Sequence, residues 1–216
     1  MSAPERHPSA ELLFDLARGA LEPGRRLVLS AHLGACAACR AQVRLAEAVG
    51  GVLLEELPPA ELAPDALERA LARLDVRLEP SPRREEAPRP PDWIEVPHEV
   101  LVAARRRKRW AAPGVWVAPV TFDRATGARS YLLRVGAGMA VPRHTHRGSE
   151  YVCVVKGAFV DTGGVHRPAD FAESDESVEH RPRVTAEGEC VCLIAADHPL
   201  VPRDLLGRMM QPLVGI

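Results

Sequence analysis

Apolar residues in the first third of the chain recur every three or four positions, a spacing that predicts amphipathic helices. The first predicted helix follows Ser9, a residue that suits an N-cap, and its apolar face begins at Leu12. Further helices are predicted at about residues 25–33, 37–57 and 64–78, with charged residues opposite their apolar faces. The pattern is typical of a small helical bundle.

The periodicity changes in the second half of the chain. A strand pattern is predicted to begin at Trp93 and to continue through Val100. Short apolar runs separated by Gly, Pro and Asp follow at about residues 114–123, 130–139, 150–160, 164–174 and 190–197. Such runs at nearly regular spacing predict an antiparallel β-sandwich or barrel. A last helical turn is predicted over residues 203–210, and the expected fold class is α+β, all-α first and all-β second.

The two halves are joined by the segment EPSPRREEAPRPPD at residues 79–92. Its prolines, its mixed charges and its lack of large apolar side chains predict a solvated linker. The sequence therefore predicts a helical domain at residues 1–78, a linker at 79–92 and a β domain at 93–216, and the two domains could fold separately.

Composition narrows the function classes. The chain has 216 residues, 46% of them hydrophobic, and a net charge of −1. The near-neutral charge gives no support to nucleic-acid binding, and no apolar window is long enough to predict a membrane span. The start MSAPERHPSAELLF has no basic segment followed by an apolar run, so we expect a cytoplasmic protein without a signal peptide. In that compartment its five cysteines favour metal binding over disulfides.

A run of five basic residues, Arg105–Arg109, precedes Trp110. The run could form a patch for nucleic acid or an acidic partner. A solvated loop or an edge strand is the favoured interpretation, because the whole chain is near neutral and has few aromatic residues. We expect no direct binding of nucleic acid.

The first group of candidate metal ligands lies in the segment HLGACAAC, which contains His32, Cys36 and Cys39. Separations of four and three residues bring these side chains together where two helices meet. Thiolates and imidazole at this spacing suit tetrahedral zinc, and His7 is the remaining histidine in this half that could supply a fourth ligand. A Cys-x2-Cys redox pair is the alternative, but no βαβ pattern accompanies it.

The second group lies in GMAVPRHTHRGSEYVCVVKG, at residues 138–157. His144 and His146 are two residues apart and would share one face of a strand, with the Glu150 carboxylate close by. A distant strand must add a fourth ligand, for which His180 is favoured over His166. Three imidazoles and a carboxylate accept zinc, iron, manganese or nickel.

The first group resembles the zinc-binding anti-sigma domain in spacing and in helical context. That resemblance implies that the helices wrap an extracytoplasmic-function (ECF) sigma factor and block its binding to core RNA polymerase. About 75 residues cannot bury all of the leucines of the third and fourth helices. The predicted sigma-binding candidates are Leu45, Val49, Leu53, Leu67, Leu71 and Leu74. The alternative is that these six side chains form the core of the bundle.

The second group resembles the first cupin motif, because Gly138, His144, His146, Glu150 and Gly157 keep its spacing. The second cupin motif is looser: the triplet at residues 168–170 is Pro-Ala-Asp, where cupins usually have Pro-x-Gly. His180 falls where the family has its fourth ligand.

The combination of both domains resembles the ChrR-type anti-sigma factors. The resemblance implies no enzymatic activity and release of the sigma factor when the cupin senses singlet oxygen or related oxidants. It also marks Cys190 and Cys192 as redox candidates, with two small apolar residues of a barrel wall as the alternative. Two other functions stay open: a metal-dependent cupin dioxygenase with an appended helical regulatory domain, and a sensor of a small ligand without redox chemistry.

Overall fold

The structure, a computed structural model, describes residues 3–74 and 87–203. Its helices are α1 (Ala10–Ala17), α2 (Pro23–Ala35), α3 (Ala37–Glu55), α4 (Ala66–Leu74) and α5 (His98–Arg106). Its strands are β1 (Arg109–Ala112), β2 (Val115–Phe122), β3 (Arg129–Val135), β4 (His144–Thr145), β5 (Glu150–Lys156), β6 (Phe159–Asp161), β7 (Gly164–His166), β8 (Phe171–Ser174), β9 (Glu179–His180), β10 (Arg183–Val184), β11 (Cys190–Ala196) and β12 (Val201–Pro202).

Some predictions fall on residues outside the described ranges. They are the end of the fourth helix at 75–78, linker residues 79–86, and the last helical turn beyond residue 203. The division into two domains and a linker remains a prediction.

The first helices begin where the sequence predicts them. The Ser9 hydroxyl accepts a hydrogen bond from the Leu12 amide at 3.3 Å and so caps α1. Helix α2 begins at Pro23, and the Glu22 carboxylate accepts hydrogen bonds from the next free amides. Cys36 ends α2 and is also the N-cap of α3, so these two helices meet without an intervening loop.

The strands form a sandwich of antiparallel sheets, which confirms the predicted fold class. A six-stranded sheet has the order β1-β2-β3-β11-β5-β8. Facing it are two three-stranded sheets with the orders β10-β6-β7 and β12-β4-β9. The short strands β4 and β9 of the last sheet carry candidate metal ligands.

The centre of the six-stranded sheet is buried on both faces. Its outer face packs against α2, so that Val28 and Leu29 share one core with Leu132 and Leu193. Its inner face lines the sandwich interior. Every residue of β11 is buried for this reason, which explains its unbroken apolar sequence CVCLIAA. The helices and the sandwich are therefore packed through a common core.

The predicted strand through Val100 is wrong, because residues 98–106 form helix α5. Pro97 stands at its N-cap position, Glu99 in its first turn, and Arg105 and Arg106 in its last turn. These are helix start and stop signals, and they outweigh the valine-rich composition. Val100 and Ala103 then face the sheet from one side of the helix.

The basic run at residues 105–109 spans the end of α5 and the start of β1. Arg109 lies in β1, an edge strand of the six-stranded sheet, but Arg105 and Arg106 are helical, so the interpretation of the run as a loop or an edge strand holds only for its end. The Lys108 ammonium lies 5.1 Å from the ring centre of Trp110 and 4.9 Å from that of Trp116. Among the residues that the structure describes, no helix is both long and apolar enough to cross a bilayer.

Candidate metal centres

The first cluster lies where the N-terminal segment meets the junction of α2 and α3. His32 is in the last turn of α2, Cys36 is at the junction, and Cys39 is in the first turn of α3. His7, in the segment before α1, reaches over both sulfur atoms. The ligand atoms of these four side chains all lie within 4.8 Å of one another, so the structure brings together all four predicted residues.

The separations within this cluster fit tetrahedral zinc. His32 Nε2 lies 3.3 Å from Cys39 Sγ, and His7 Nδ1 lies 3.4 Å and 3.5 Å from the sulfur atoms of Cys36 and Cys39. Zinc bound by sulfur at about 2.3 Å and by nitrogen at about 2.0–2.1 Å separates the two kinds of ligand by roughly 3.6 Å. The His32 Nδ1–H donates to the Ala169 carbonyl at 2.7 Å, which leaves the Nε2 lone pair facing the sulfur atoms.

The pKa shifts of the first cluster favour the binding of a cation. Burial and the neighbouring Cys36 raise the pKa of the Cys39 thiol to about 12. Burial also lowers the pKa of His32, which favours the neutral imidazole that a metal binds. A divalent cation would stabilise both thiolates, and the first amides of α3 favour negative charge at the same place.

The second cluster is assembled across a sheet of short strands. His144 on β4 and His180 on β9 are directly paired. His146 follows β4, and Glu150 begins β5. Gly157 directly follows β5 and has φ of 72°. A Cβ at this position would lie 2.1 Å from the Glu189 carbonyl oxygen, so position 157 requires glycine.

All four predicted residues of the second cluster are buried, with ligand atoms within 4.8 Å of one another. His180 Nε2 lies 2.9 Å from His144 Nε2 and 3.2 Å from His146 Nε2, and His146 Nε2 lies 3.8 Å from a Glu150 oxygen. Metal–nitrogen bonds of about 2.1 Å at right angles separate two nitrogens by roughly 3.0 Å. The His144 Nδ1–H donates to the Pro142 carbonyl at 2.8 Å, so its Nε2 presents a lone pair to its neighbours. The donor set therefore fits a divalent transition metal.

Asp161 contacts His180 on the side of its ring that faces away from the other ligands, and no local sequence pattern indicated this residue. Its carboxylate lies 3.6 Å from His180 Nδ1 and 3.1 Å from His166 Nε2. Burial alone would raise the pKa of Asp161, but hydrogen bonds from His166 and His180 outweigh it and lower that pKa. His166, the alternative candidate for the fourth ligand, is therefore separated from the cluster by the Asp161 carboxylate. Its place on β7 and its burial also show that it is not a loop residue.

Burial governs the ionisation of the metal-free second cluster. It raises the pKa of Glu150 to about 7, and it lowers the pKa of His146 to about 4, with help from His144 and His180. Such shifts are characteristic of functional sites. A cation would restore the negative charge on Glu150, because it compensates the lost hydration of the carboxylate.

A cavity of about 60 Å³ adjoins the second cluster, room for a few water molecules or a small ligand. Apart from the ligands its walls are mainly apolar, with Tyr131, Phe159 and Ile194 among them. Cys190 and Cys192 also line the cavity, and their sulfur atoms are 3.7 Å apart. Its hydrogen bond with Cys190 and burial raise the pKa of Cys192 well above its ordinary value.

The predicted sigma-binding side chains are exposed, so the alternative that they form a bundle core is wrong. No residue of α4 is buried, although the whole helix is described. Further large apolar residues of α3 and of the segment before α4 are also exposed. The exposed large apolar side chains of α3, α4 and the segment between them are Leu45, Val49, Val52, Leu53, Leu54, Leu57, Leu62, Leu67, Leu71 and Leu74.

Comparisons with known proteins match both the helical part and the cupin part of the chain. A family model described as the ChrR cupin-like domain matches residues 98–199, and a zinc-finger family model matches residues 9–40. The anti-sigma-E factor ChrR of Cereibacter sphaeroides is 35% identical over 208 residues, which are 95% of this chain and 96% of the relative.

A solved complex gives the same result. The crystal structure of Rhodobacter sphaeroides SigE in complex with the anti-sigma ChrR matches with 34% identity and a TM-score of 0.73. That match covers 89% of this chain and 99% of the matched chain. An RmlC-like cupin protein of Ralstonia eutropha is 26% identical over 44% of this chain and 63% of its own, with a TM-score of 0.41.

Fold and sites together define a class of protein: a helical unit with a Cys2His2 cluster, packed against a cupin with a His3Glu cluster. The chain belongs to the family of ChrR-type anti-sigma factors.

Proposed function

We propose that this protein is a cytoplasmic anti-sigma factor, which binds an ECF sigma factor through the exposed apolar residues of α3 and α4. We further propose that oxidants, singlet oxygen among them, reach the cupin cavity and cause release of the sigma factor. The exposed apolar surface beside the first cluster carries the proposal. The solved complex of SigE with ChrR supports it, since the fold of this chain matches that ChrR structure.

Helix α4 is the clearest sign that a partner is needed. It has nine residues, and its leucines at 67, 71 and 74 share one face that contacts no core. Isolated helices of this length are marginal in water, because nucleation costs more than a few backbone hydrogen bonds return. Exposed large apolar residues in this number favour a binding site, and a sigma factor that covers them would stabilise the helix.

The first cluster gives this surface its shape. We propose that His7, His32, Cys36 and Cys39 hold zinc, which when bound supplies structural cross-linking only. These residues fix the start of α3 against the end of α2 and hold the segment before α1 in place. Because α3 carries much of the exposed surface, its direction relative to α2 determines whether the apolar side chains form one continuous patch.

The second cluster is suited to sensing. We propose that His144, His146, Glu150 and His180 hold zinc or another divalent transition metal, which when bound keeps the cavity wall in one arrangement. Singlet oxygen adds to electron-rich imidazole rings, and such addition would remove a ligand and free its strand. The raised pKa of Cys192 keeps that thiol protonated and less nucleophilic, so the imidazoles are the favoured targets.

Release requires a large change in affinity. Inverting a complex from 99% bound to 99% free needs roughly 5.5 kcal/mol of differential affinity between two states of the protein. Loss of a metal ligand in a core shared with the helices can supply a change of this size. The small apolar cavity favours this regulatory role over turnover of a bulky dioxygenase substrate.

A matched pair of surface substitutions tests the binding claim. Leu53 on α3 is 59% exposed, and Phe122 on the six-stranded sheet is 60% exposed. Leu53→Asp is expected to weaken sigma-factor binding about thirtyfold, which is about 2 kcal/mol, whereas Phe122→Asp leaves it unchanged. Affinity is measured between the purified chain and ECF sigma factors of the same genome. Binding to none of them, or equal losses in both variants, would contradict the proposal.

A further inference from the structure

The turn at residues 167–170 departs from the cupin pattern in a way that the structure explains. Ala169 has φ of 72°, a left-handed conformation that non-glycine residues rarely adopt. Asp170 stands where cupins usually have glycine, and it is 2% exposed. A strained residue beside a buried carboxylate indicates a functional constraint on this turn.

The buried carboxylate binds the N-terminal segment. Asp170 Oδ1 accepts hydrogen bonds from the backbone amides of Glu5 at 2.8 Å and Arg6 at 3.1 Å. Its Oδ2 accepts from the Arg167 amide at 2.8 Å. The Phe171 amide also donates to the Arg6 carbonyl at 3.1 Å. These bonds fix the backbone immediately before His7, a candidate ligand of the first cluster.

The same turn orients a second ligand of that cluster. The carbonyl of the strained Ala169 accepts the hydrogen bond from His32 Nδ1 at 2.7 Å, and the Phe171 ring meets the imidazole edge-on. Both imidazoles of the first cluster are therefore positioned by the cupin, although the two sulfur ligands come from the helices. Outer contacts of this kind fix the tautomer and ring orientation of metal-binding histidines.

A second connection runs from the cupin cluster to the same segment. The Arg6 guanidinium donates to the carbonyls of Val165, at 3.2 Å, and Gly163 in the β6–β7 hairpin. Asp161 in that hairpin contacts His180 of the second cluster. A continuous series of contacts thus leads from His180 to Arg6, which directly precedes His7.

We propose that the cupin stabilises the first metal site by orienting two of its ligands, with Asp170 as a positioning residue for His7 and the Ala169 carbonyl as the partner of His32. Through the β6–β7 hairpin, the state of the second cluster alters how firmly the first cluster holds its metal. The step from this loosening to release of the sigma factor rests on the proposed function, whereas the coupling between the two sites does not.

Cobalt(II) in the full-length protein gives a readout of the first site alone, because absorption from thiolate-to-cobalt charge transfer requires cysteine ligands. Asp170→Gly restores the residue usual in cupins and removes the carboxylate. We expect it to speed the loss of this absorption to a chelator at least tenfold, on the scale of outer-contact losses in metal sites. Ala169→Gly keeps the carbonyl and the carboxylate, and should stay within about twofold of the wild type.

A wild-type rate in Asp170→Gly would overturn the positioning role. If that variant fails to fold, Asp170→Asn decides the question, since it keeps the side-chain volume and one acceptor oxygen. We expect an increase of severalfold in Asp170→Asn, and an unchanged rate would overturn the proposal.

A double-mutant cycle tests the link between the sites. His180→Ala should accelerate cobalt loss from the first site in the wild-type background but have little further effect in an Arg6→Ala background. No effect of His180→Ala, or equal effects in both backgrounds, would refute the link. Because the readout needs no sigma factor, the outcome separates this inference from the proposed function: unchanged cobalt kinetics with intact sigma binding overturn only the coupling.

Discussion

The two histidine clusters of this protein differ in their ligands and in their surroundings. The first combines two sulfur and two nitrogen ligands at a helix junction, and it joins three chain segments. The second combines three imidazoles and a carboxylate beside a cavity. A compact sulfur-containing site suits a structural role, whereas a site that adjoins a cavity is open to small molecules. This difference is the reason why we propose that one cluster shapes a binding surface and the other senses a signal.

The largest expected difference between the clusters is in stability. Structural zinc contributes on the order of 10 kcal/mol in small domains, and Cys36→Ser removes a ligand from such a site. A loss of about 5 kcal/mol would lower Tm by about 10–20 °C in a chain of this size. His144→Ala, the matched loss of one ligand from the second cluster, should lower Tm by about 5 °C or less.

Differential scanning calorimetry with metal analysis measures both variants. Retained zinc and an unchanged Tm in Cys36→Ser would remove the structural role of the first cluster. Equal losses in the two variants would remove the distinction between the clusters.

A smaller expected difference concerns the effect of pH on metal affinity. Cys39 in the metal-free protein has its pKa raised to about 12 by burial and by Cys36, so metal binding displaces a proton throughout the neutral range. The Cys39 proton alone should therefore lower affinity at the first cluster about tenfold for each unit by which the pH decreases from about 9 to 6, and displacement of a proton from the second thiol makes the fall steeper.

At the second cluster the Glu150 carboxyl has a pKa of about 7, raised by burial. Its proton competes with metal only below that value, so its contribution to affinity is flat above about pH 7 and falls below it. Chelator competition across this range checks the difference, and Glu150→Gln should abolish the break near neutral pH. The same slope at both clusters between about pH 7 and 9 would contradict the assignment.

Local spacing predicted most of the ligand sets. His32, Cys36 and Cys39 lie within eight residues at helical spacing, and His144, His146 and Glu150 lie within seven around a short strand. Elementary geometry places such side chains together whatever the rest of the fold does. The four short helices and the antiparallel sandwich follow from hydrophobic periods in the same way.

Long-range contacts explain what the sequence did not reveal. Asp170 binds amides of residues that precede it by 164 and 165 positions, and no local pattern encodes such a pairing. The missing glycine was visible in Pro-Ala-Asp, but its physical reason needed the fold. Helix α5 was missed for a different reason: its capping and charge signals were present, and the valines around residue 100 were given more weight.

The shared core was also not predicted. A proline-rich linker suggested independent units, yet α2 covers the outer face of the six-stranded sheet. The sequence indicated burial on both faces of the sheet only through the unbroken apolar run in β11. Such a run does not reveal which element covers each face. This packing connects the cupin physically to the helices that we propose bind the sigma factor.

The most direct test of the account follows the dissociation of a bound ECF sigma factor from the full-length protein while a photosensitiser generates singlet oxygen. The account predicts that the wild-type complex dissociates, that Cys192→Ser dissociates at a similar rate, and that His180→Ala, which already lacks one ligand, binds the sigma factor more weakly than the wild type in the dark. A wild-type complex that persists under illumination, or a His180→Ala variant that binds the sigma factor in the dark as tightly as the wild type, would contradict the account.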